Sequence, residues 1–555
     1  MSRAEEANVS ETQPVIIVGA GLSGLAAAIG VALRGRRAIV FEAADKVGGA
    51  AAYSGGQVWI GANHVAAREG IDDDLERVET YVRAIAHNDP ELLDEDAMER
   101  WLTAAPQAAR YWEEVGAIQW TVIPGLTDYH SEAAGAIGVG RYLTNRLIDG
   151  RDLGEWQSRL RRSPHFPVGV TYDRLVEVGR RQAILEQTHD GSDPLTFGTG
   201  VVASFLARAL QEELIELLTS HRVAGLLTDE QGGVIGVRVE GPTGARTELG
   251  PVVLAASSYD WDPELVADLL GIDQDNFGSL APRTLRGDAI HLARSVGADV
   301  ARMPATCVPM LPGWPADNEP GFTYGPEYAL PGAITVDQHG RRFCDDSYWV
   351  SLIERALAPG DQHLPCFMVW DERHHQKYGL TTTPPGGDYP AGIVLTATTM
   401  AELGEKLGID GAELERTVAR FNVHAADGED PEFGRGTVPF VRSYAGDPSH
   451  EPNPNLAALA DPPFFGMRLR IVGTGIGSSG VRIDGDGHVL DGRRAPIPGL
   501  FAIGSCAALT SSGTGYNSGF ALGRGITLAY LVSQELGQRC AQANPPSTLS
   551  SAPVV

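Results

Sequence analysis

A glycine loop near the N-terminus has the spacing of a pyrophosphate-binding turn. Gly19, Gly21 and Gly24 come after the apolar run Val15–Val18 and before the apolar run Leu25–Ile29. In such a loop the first glycine permits a tight turn, the second lets backbone approach the pyrophosphate, and the third lets helix pack on strand. The N-terminus of the helix also favours a phosphate group. The pattern therefore predicts a strand, a turn and a helix that bind a dinucleotide.

An acidic residue and a second glycine cluster follow this loop. Glu42 comes after the apolar run Ala38–Phe41, about 20 residues beyond the loop, where a carboxylate can accept hydrogen bonds from ribose hydroxyls. A carboxylate there disfavours the 2′-phosphate of NADP. The segment 47–56 is rich in glycine and alanine, so its backbone amides could approach a flat ring system. The alternative for this segment is a flexible loop without a ligand.

The composition excludes several classes of partner. The chain has 555 residues and a formal net charge of -27, which would repel nucleic acid and anionic membrane surfaces. Its five cysteines contain no Cys-x-x-Cys pair, and they predict neither a disulfide framework nor a zinc site. The start lacks the apolar region of a signal peptide, and no apolar run is long enough to span a membrane. We expect a cytoplasmic protein without a metal, a nucleic-acid partner or stable membrane insertion.

The length and the changes in composition predict two domains. The fold class expected is α/β, with a Rossmann-like dinucleotide-binding domain that is interrupted by an inserted α+β domain. Prolines become dense where the inserted domain begins, and the glycine-rich style returns where it ends. The expected units are a disordered start (1–12), the first part of the dinucleotide-binding domain (13–284, with a helical insertion at about 72–190), the inserted domain (285–462), the second part (463–541) and a disordered tail (542–555).

Seven segments in order resemble the flavoprotein family that contains soluble fumarate reductases and 3-ketosteroid dehydrogenases. They are GAGLSG, GGAAAYSGGQVWI, GVIGVRV before VVLAA, GDAIHLARSVGA, ITVDQHGRRFCDD, FNVHAADGEDPEFGRG and PIPGLFAIGSCAALTSSGTGYNSGFALGRG. The resemblance implies a glutathione-reductase-type FAD-binding domain with an inserted catalytic domain, and an isoalloxazine ring at the seam between them. It also implies an external electron acceptor. The residues expected to contact FAD are Gly19, Gly21, Leu22, Ser23, Gly24, Glu42, Ala43, Gly48, Gly49, Ala50, Ser54, Gly55, Gly56, Val223, Ala255, Ala256, Gly504, Ser505, Gly519, Ala521 and Leu522.

The closing glycine-rich segment distinguishes the branches of this family. Fumarate and urocanate reductases carry a His and an Asn-Arg pair there, because a dicarboxylate needs cationic and hydrogen-bonding anchors. The corresponding segment of this chain, Gly513–Gly519, has a phenol and a hydroxyl instead, at Tyr516 and Ser518. These groups suit a neutral ketone in an apolar pocket. The Tyr-x-Ser-Gly form resembles Δ4-(5α)-3-ketosteroid dehydrogenases more than the Δ1 enzymes.

Two tyrosines could supply the chemistry of ketone desaturation, in which a proton leaves the α carbon and a hydride leaves the β carbon. One phenol would donate a hydrogen bond to the carbonyl as enolate charge develops, and the other would act as the base. Tyr516 is the first tyrosine expected, with Ser518 hydrogen-bonded to it and the Gly519 N–H near the ketone. The candidates for the second, all in the inserted domain, are Tyr324, Tyr328 and Tyr348.

Other notable residues are given structural roles. Arg435, within a Phe-Gly-Arg-Gly stretch, is expected to hold the hinge between the domains, and the pair His374-His375 is expected at the surface. Asp345 and Asp346 stand where family members usually have Asn-Glu, so the resemblance assigns them no role.

Three hypotheses about function follow. The first is an FAD-dependent dehydrogenase that desaturates a 3-ketosteroid or a related cyclic ketone, with a small apolar ketone as substrate. The second is an enoate reductase that acts on a small carboxylate, and the third is a flavin-binding electron-transfer or sensor protein without turnover.

Overall fold

The computed structural model describes residues 13–86, 92–178, 191–307, 310–381 and 383–543. The predicted disordered segments lie outside these residues, except that 542–543 belong to the last helix. Part of the predicted helical insertion, residues 87–91 and 179–190, also lies outside them.

A twisted, mainly parallel sheet of six strands organises the dinucleotide-binding domain. Its four-residue strands Val15–Val18 and Ala38–Phe41 are buried along their whole length, as expected of parallel strands covered on both faces. The only antiparallel pair among the described strands of this sheet is at one edge, between His488–Leu490 and Pro496–Ala502. The spatial order of the strands is His488–Leu490, Pro496–Ala502, Val252–Leu254, Val15–Val18, Ala38–Phe41 and Ile215–Leu218.

Helices and a second sheet cover this central sheet. Helix Leu22–Ala32 is almost entirely buried because it packs against both Phe197–Ala209 and the C-terminal helix Phe520–Ala543, which in turn packs on Glu95–Glu114. The antiparallel strands Arg222–Thr228, Val234–Gly241 and Gly244–Leu249 form a sheet that packs against strands Val252–Leu254 and Pro496–Ala502. The predicted strand–turn–helix at the first glycine loop is therefore present.

The segment predicted to be a helical insertion is helical only in part. Leu75–Ile85 and Glu95–Glu114 are helices that begin at capping aspartates. The rest contains short strands, a 3-10 helix at Gly150–Arg159 and a short helix at Tyr172–Val178. Tyr142–Asn145 is a central short strand that pairs with both Val58–Trp59 and Trp120–Val122, and Ile148–Asp149 pairs with Pro194–Leu195.

The inserted domain contains two further four-stranded sheets and a core of its own around Leu403 and Leu414. Phe277–Ser279 pairs with Arg470–Gly473, so strands on both sides of the predicted boundaries, 285 and 462, belong to the sheets of this domain. We therefore propose that the inserted domain extends from about 277 to about 473. The strands are Phe277–Ser279, Arg470–Gly473, Leu311–Pro315 and Phe322–Tyr324 in one sheet, and Ala333–Val336, Phe367–Trp370, Phe464–Arg468 and Leu395–Ala397 in the other.

The remaining elements are short. A two-stranded ladder joins Val300–Ala301 to Gly480–Val481. The other helices are Gly49–Tyr53, His64–Arg68, Pro263–Leu270, Asp288–Ser295, Trp349–Ala356, Glu372–Tyr378, Met400–Leu407, Gly411–Ala425 and Pro439–Tyr444. Single 3-10 turns occur at Ala305–Cys307, Pro326–Ala329, Gly504–Cys506 and Thr510–Ser512. None of the helices in the described parts of the chain is both long and apolar enough to cross a membrane.

Candidate active site

The first glycine loop has the geometry that its spacing predicts. Gly19 has φ +109°, and a Cβ there would lie 2.5 Å from the carbonyl oxygen of Ala255. A Cβ on Gly24 would lie 2.0 Å from the oxygen of Gly19, so helix and strand approach too closely for any other residue. A Cβ on Gly21 would meet nothing nearer than 4.0 Å, the oxygen of Gly48. Gly21 therefore faces open space, into which a pyrophosphate fits.

Backbone N–H groups at this loop are available to an anion. Gly21 is the N-cap of helix Leu22–Ala32 and provides no side-chain cap, and the first turn has no acidic residue. The second glycine cluster touches the first, because Gly48 donates its N–H to the oxygen of Ala20 at 2.9 Å and bridges to Gly21. Two backbone loops thus form one surface, which fits the diphosphate of FAD.

Glu42 lies beside the loop with its carboxylate held in place. Its two oxygens accept N–H groups from Ala20 and Ala44, each at 2.9 Å. Burial raises the pKa of this carboxyl, and the two N–H bonds and the charge of Arg161 act in the opposite direction. The fixed carboxylate lines the cavity described next, where ribose hydroxyls can reach it.

A cavity of about 860 Å³ connects the glycine loops with the inserted domain. Most of the residues predicted to contact FAD line it. Gly24 and Gly48 do not, because both serve backbone packing behind its wall. The predicted residues that line the cavity are Gly19, Gly21, Leu22, Ser23, Glu42, Ala43, Gly49, Ala50, Ser54, Gly55, Gly56, Val223, Ala255, Ala256, Gly504, Ser505, Gly519, Ala521 and Leu522.

Five of the six residues predicted for catalysis line the same cavity: Tyr516, Ser518, Gly519, Tyr324 and Tyr328. Tyr348 does not line it; its ring packs edge-on against Trp349. Tyr348 is the N-cap residue of helix Trp349–Ala356, and the helix directs its neighbour Trp349, rather than Tyr348, to the cavity. Tyr324 is the last residue of strand Phe322–Tyr324, which forms an antiparallel pair with Leu311–Pro315. This pair of strands brings the inserted domain to the cavity.

Tyr516 lies at the N-terminus of the C-terminal helix. The backbone N–H of Ala521 donates a hydrogen bond to its phenol oxygen, and burial raises the pKa of the phenol. The phenol is therefore neutral and can donate its own proton in a hydrogen bond. Gly519 follows with φ +81°, and a Cβ there would lie 2.7 Å from the nitrogen of Trp59.

The predicted hydrogen bond between Ser518 and Tyr516 is not present. The Ser518 hydroxyl donates instead to Oε1 of Gln57 at 2.5 Å. The two side chains differ in direction because Asn517, between them, is buried and anchors the turn.

Tyr129 and Asn517 are two further residues of this site that the sequence did not predict. Tyr129 lines the cavity, and burial raises its pKa well above the usual value. The amide oxygen of Asn517 accepts the N–H of Tyr129 at 2.8 Å and the hydroxyl of Tyr81 at 2.7 Å, and its NH₂ group donates to the hydroxyl of Tyr142 at 2.7 Å. Tyr129 stands nearly 400 residues before Asn517 in the chain, so no local pattern connects the two.

The region of the cavity around Tyr516 is aromatic and apolar. Among the described residues, no lysine or arginine lines the cavity, whose acidic side chains are Glu42 and Asp288. Towards solvent the lining includes Val176, which is 61% exposed, and Tyr444, which is 52% exposed. The apolar and aromatic lining residues of this region include Ile123, Leu126, Tyr129, Tyr172, Leu311, Tyr328, Trp349 and Phe440.

Arg435 does not hold a hinge between the domains. It is fully buried, donates to the carbonyl oxygens of Tyr328 and Asn455, and forms an ion pair with Asp346 at 3.0 Å. These partners all lie in the inserted domain, where Arg435 fixes the loop that carries Tyr328.

The prediction of a surface His pair is wrong for His374. It is 1% exposed, and its Nδ1 is 2.9 Å from the oxygen of Pro331. Burial lowers the pKa of His374 to about 4. In the described parts of the chain, no group of three His, Cys, Asp or Glu residues could hold a metal ion.

A family model described as an FAD binding domain matches residues 14–526. The chain belongs to this family of FAD binding domains. The residues around Gly21 and Glu42 fit the cofactor that the family binds, so the prediction of FAD is confirmed. The predicted relationship to flavoproteins of the 3-ketosteroid dehydrogenase type is confirmed by the relatives of the chain.

Two curated relatives align over almost the whole chain. The 4-oxocyclohexanecarboxylate 2-dehydrogenase of Sinomonas cyclohexanicum is 29% identical and covers 98% of this chain and 96% of its own. The 3-oxosteroid 1-dehydrogenase of Mycobacterium tuberculosis (strain ATCC 25618 / H37Rv) is 28% identical and covers 95% of this chain and 98% of its own. Both are oxidoreductases of the class predicted.

A solved structure gives the same result for the fold. The 3-ketosteroid Δ1-dehydrogenase of Sterolibacterium denitrificans, in complex with 1,4-androstadiene-3,17-dione, superimposes with a TM-score of 0.84 at 26% identity, covering 96% of this chain and 100% of that one. The expected fold, an α/β FAD-binding domain with an inserted domain, is confirmed.

Proposed function

We propose that this protein is an FAD-dependent dehydrogenase that desaturates a neutral cyclic ketone, and that 3-ketosteroids are its substrate class. The observation that carries the proposal is the shared cavity. Tyr516, Ser518 and Gly519 line one region of it, the FAD-type glycine loops line another, and none of its described lining residues is a lysine or arginine.

Burial raises the pKa of the Tyr516 phenol, so this phenol holds the proton that a hydrogen-bond donor needs. Tyr516 would donate a hydrogen bond to the carbonyl oxygen, together with the N–H of Gly519, as negative charge develops there. Tyr129 and Tyr324 also line the cavity. One of them would take the proton from the α carbon. Bound FAD supplies the acceptor for the hydride that leaves the β carbon. We retain an external electron acceptor and a cytoplasmic location as parts of the proposal.

The lining favours a steroid over a small keto acid. A carboxylate substrate would need a cationic partner at its anionic end, and none of the described lining residues is a lysine or arginine. The exposed apolar side chains of Val176 and Tyr444 suit the entry of a large apolar molecule. The same absence of lysine and arginine among the described lining residues disfavours the enoate reductase hypothesis.

The test is anaerobic mixing of the oxidised holoprotein with a panel of ketones while the flavin absorbance is followed. We expect bleaching by a 3-ketosteroid, and product analysis locates the new double bond. A 5α-saturated steroid tests the Δ4 prediction from the Tyr-x-Ser-Gly motif, and a 4-ene-3-one tests Δ1, the position in the names of the steroid-acting relatives.

The same panel includes 4-oxocyclohexanecarboxylate. Faster bleaching by this acid than by any steroid would overturn the proposed substrate class. If no ketone bleaches the flavin and fumarate reoxidises the reduced protein, the protein is an enoate reductase. If neither reaction occurs, the proposal of a flavin-binding protein without turnover replaces ours.

A further inference from the structure

A second, smaller cavity of about 40 Å³ lies directly behind the tyrosines of the active site. Tyr129, Trp349 and Tyr516 line both cavities, so these side chains separate the small cavity from the substrate region. A cavity needs only about 10–15 Å³ of such volume to hold one water molecule. The polar side chains that line it and can bind water are His130, Thr306, Thr514 and Glu354.

The reaction proposed above creates a need for a proton outlet. When the α C–H bond breaks, its electron pair enters the new double bond and its proton moves to a protein group, while the β hydride reduces FAD. Burial raises the pKa of both Tyr129 and Tyr516, so each phenol already holds a proton. A neutral phenol can accept the α-proton only if it releases its own proton to a further acceptor.

Glu354 is the acidic residue on the small cavity and faces solvent on its other side. It belongs to helix Trp349–Ala356, which begins at an aromatic wall shared by both cavities. The Glu354 side chain reaches solvent. Part of it is buried, and this burial raises the pKa of its carboxyl. On the opposite wall, Nε2 of His130 lies 3.3 Å from the backbone oxygen of Tyr516, which fixes the position of the tyrosine against this cavity.

We propose that Glu354 is the outlet for the α-proton of the substrate. The proton released by the tyrosines passes through water in the small cavity to the Glu354 carboxylate and then to solvent. The path leads away from the flavin end of the large cavity, so protons can leave without passing the bound ketone. The inference rests on the proposed function and adds to it the route by which the base is reset after each turnover.

The test compares two rates in holoprotein carrying Glu354→Gln. We expect the first reduction of the flavin by a 3-ketosteroid, measured by rapid mixing without an electron acceptor, to slow by at least roughly tenfold, because the phenols already hold their protons and the Glu354 carboxylate that accepts the released proton is gone. Steady-state turnover with excess artificial dye as electron acceptor should fall by at least roughly tenfold, less than the 10²–10⁴-fold typical of a direct acid–base group. Acetate should partly restore turnover in Glu354→Ala, and Glu354→Asp should retain most of it.

The matched control is Arg355→Gln on the same helix. The Arg355 side chain is exposed and paired with Asp361 at 3.4 Å, so both rates of this variant should stay near wild type. No loss of either rate in Glu354→Gln, or no rescue by acetate in Glu354→Ala, would each overturn the proposal. If wild-type flavin is bleached by no ketone, the proposed function fails first, and the outlet fails with it.

Discussion

The two ends of the large cavity are built in different ways. The glycine loops at one end consist mainly of backbone from residues 19–56, and their shape depends on close approaches such as that between Gly24 and Gly19. The end with Tyr516 consists of side chains from the inserted domain, from the segment around Tyr129 and from the closing loop. Mutations at the first end should therefore affect folding and cofactor retention, whereas those at the second should affect the rate of reaction.

The largest effect is expected for a pair of glycine substitutions that separates folding from cofactor binding. Gly24→Ala places a methyl group 2.0 Å from the oxygen of Gly19, and the overpacking should lower the free energy of unfolding by about 3 kcal/mol or more. Urea unfolding of the apoprotein measures this change. The matched variant Gly21→Ala has free space around the added Cβ.

Gly21→Ala should leave the stability of the apoprotein nearly unchanged. Its methyl group would occupy the place of the pyrophosphate and weaken FAD binding at least about tenfold, equivalent to roughly 1.4 kcal/mol. Titration of apoprotein with FAD measures the affinity. Equal stability losses in the two variants would show that both glycines serve packing and would remove the assignment of Gly21 to the pyrophosphate.

At the other end, Tyr516→Phe should keep the flavin spectrum and slow ketone-dependent flavin reduction by at least about 10²-fold, a typical acid–base contribution. The reason is the loss of the neutral phenol that lines the cavity beside Gly519. Tyr348→Phe is the control, because Tyr348 does not line the cavity. An unchanged rate in Tyr516→Phe, or an equal loss in Tyr348→Phe, would contradict the assignment.

A smaller effect is expected at Asn517, which is buried and joins three segments. Asn517→Ala leaves the N–H of Tyr129 and two tyrosine hydroxyls without their partner, at a cost of about 1–3 kcal/mol in the free energy of unfolding. The rate of flavin reduction should also fall, because Tyr129 loses its anchor. The control Asn422→Ala removes comparable amide hydrogen bonds to Leu459, far from the cavity. It should lower stability without slowing flavin reduction. An equal loss of rate in Asn422→Ala would argue against a positioning role for Asn517.

Much of the dinucleotide end could be predicted from the sequence. The positions of Gly19, Gly21 and Glu42 follow from the local order of strand, turn and helix, because a phosphate-binding loop and the next strand end are set within one βαβ unit. The fold and the cofactor followed from such local segments together with the resemblance. Even there, the sequence did not distinguish Gly48, which does not line the cavity, from the glycines that do.

The ketone end depended on tertiary structure. The sequence predicted Tyr516, Ser518 and Gly519 because they lie within one short segment, but it assigned Ser518 to the wrong partner and could not choose among Tyr324, Tyr328 and Tyr348. Tyr129 is held at the cavity by the hydrogen bond from its backbone N–H to Asn517, across a separation that no sequence period spans. Local backbone rules determine which residues can hold a dinucleotide, whereas only the packing of distant segments decides which side chains meet the substrate.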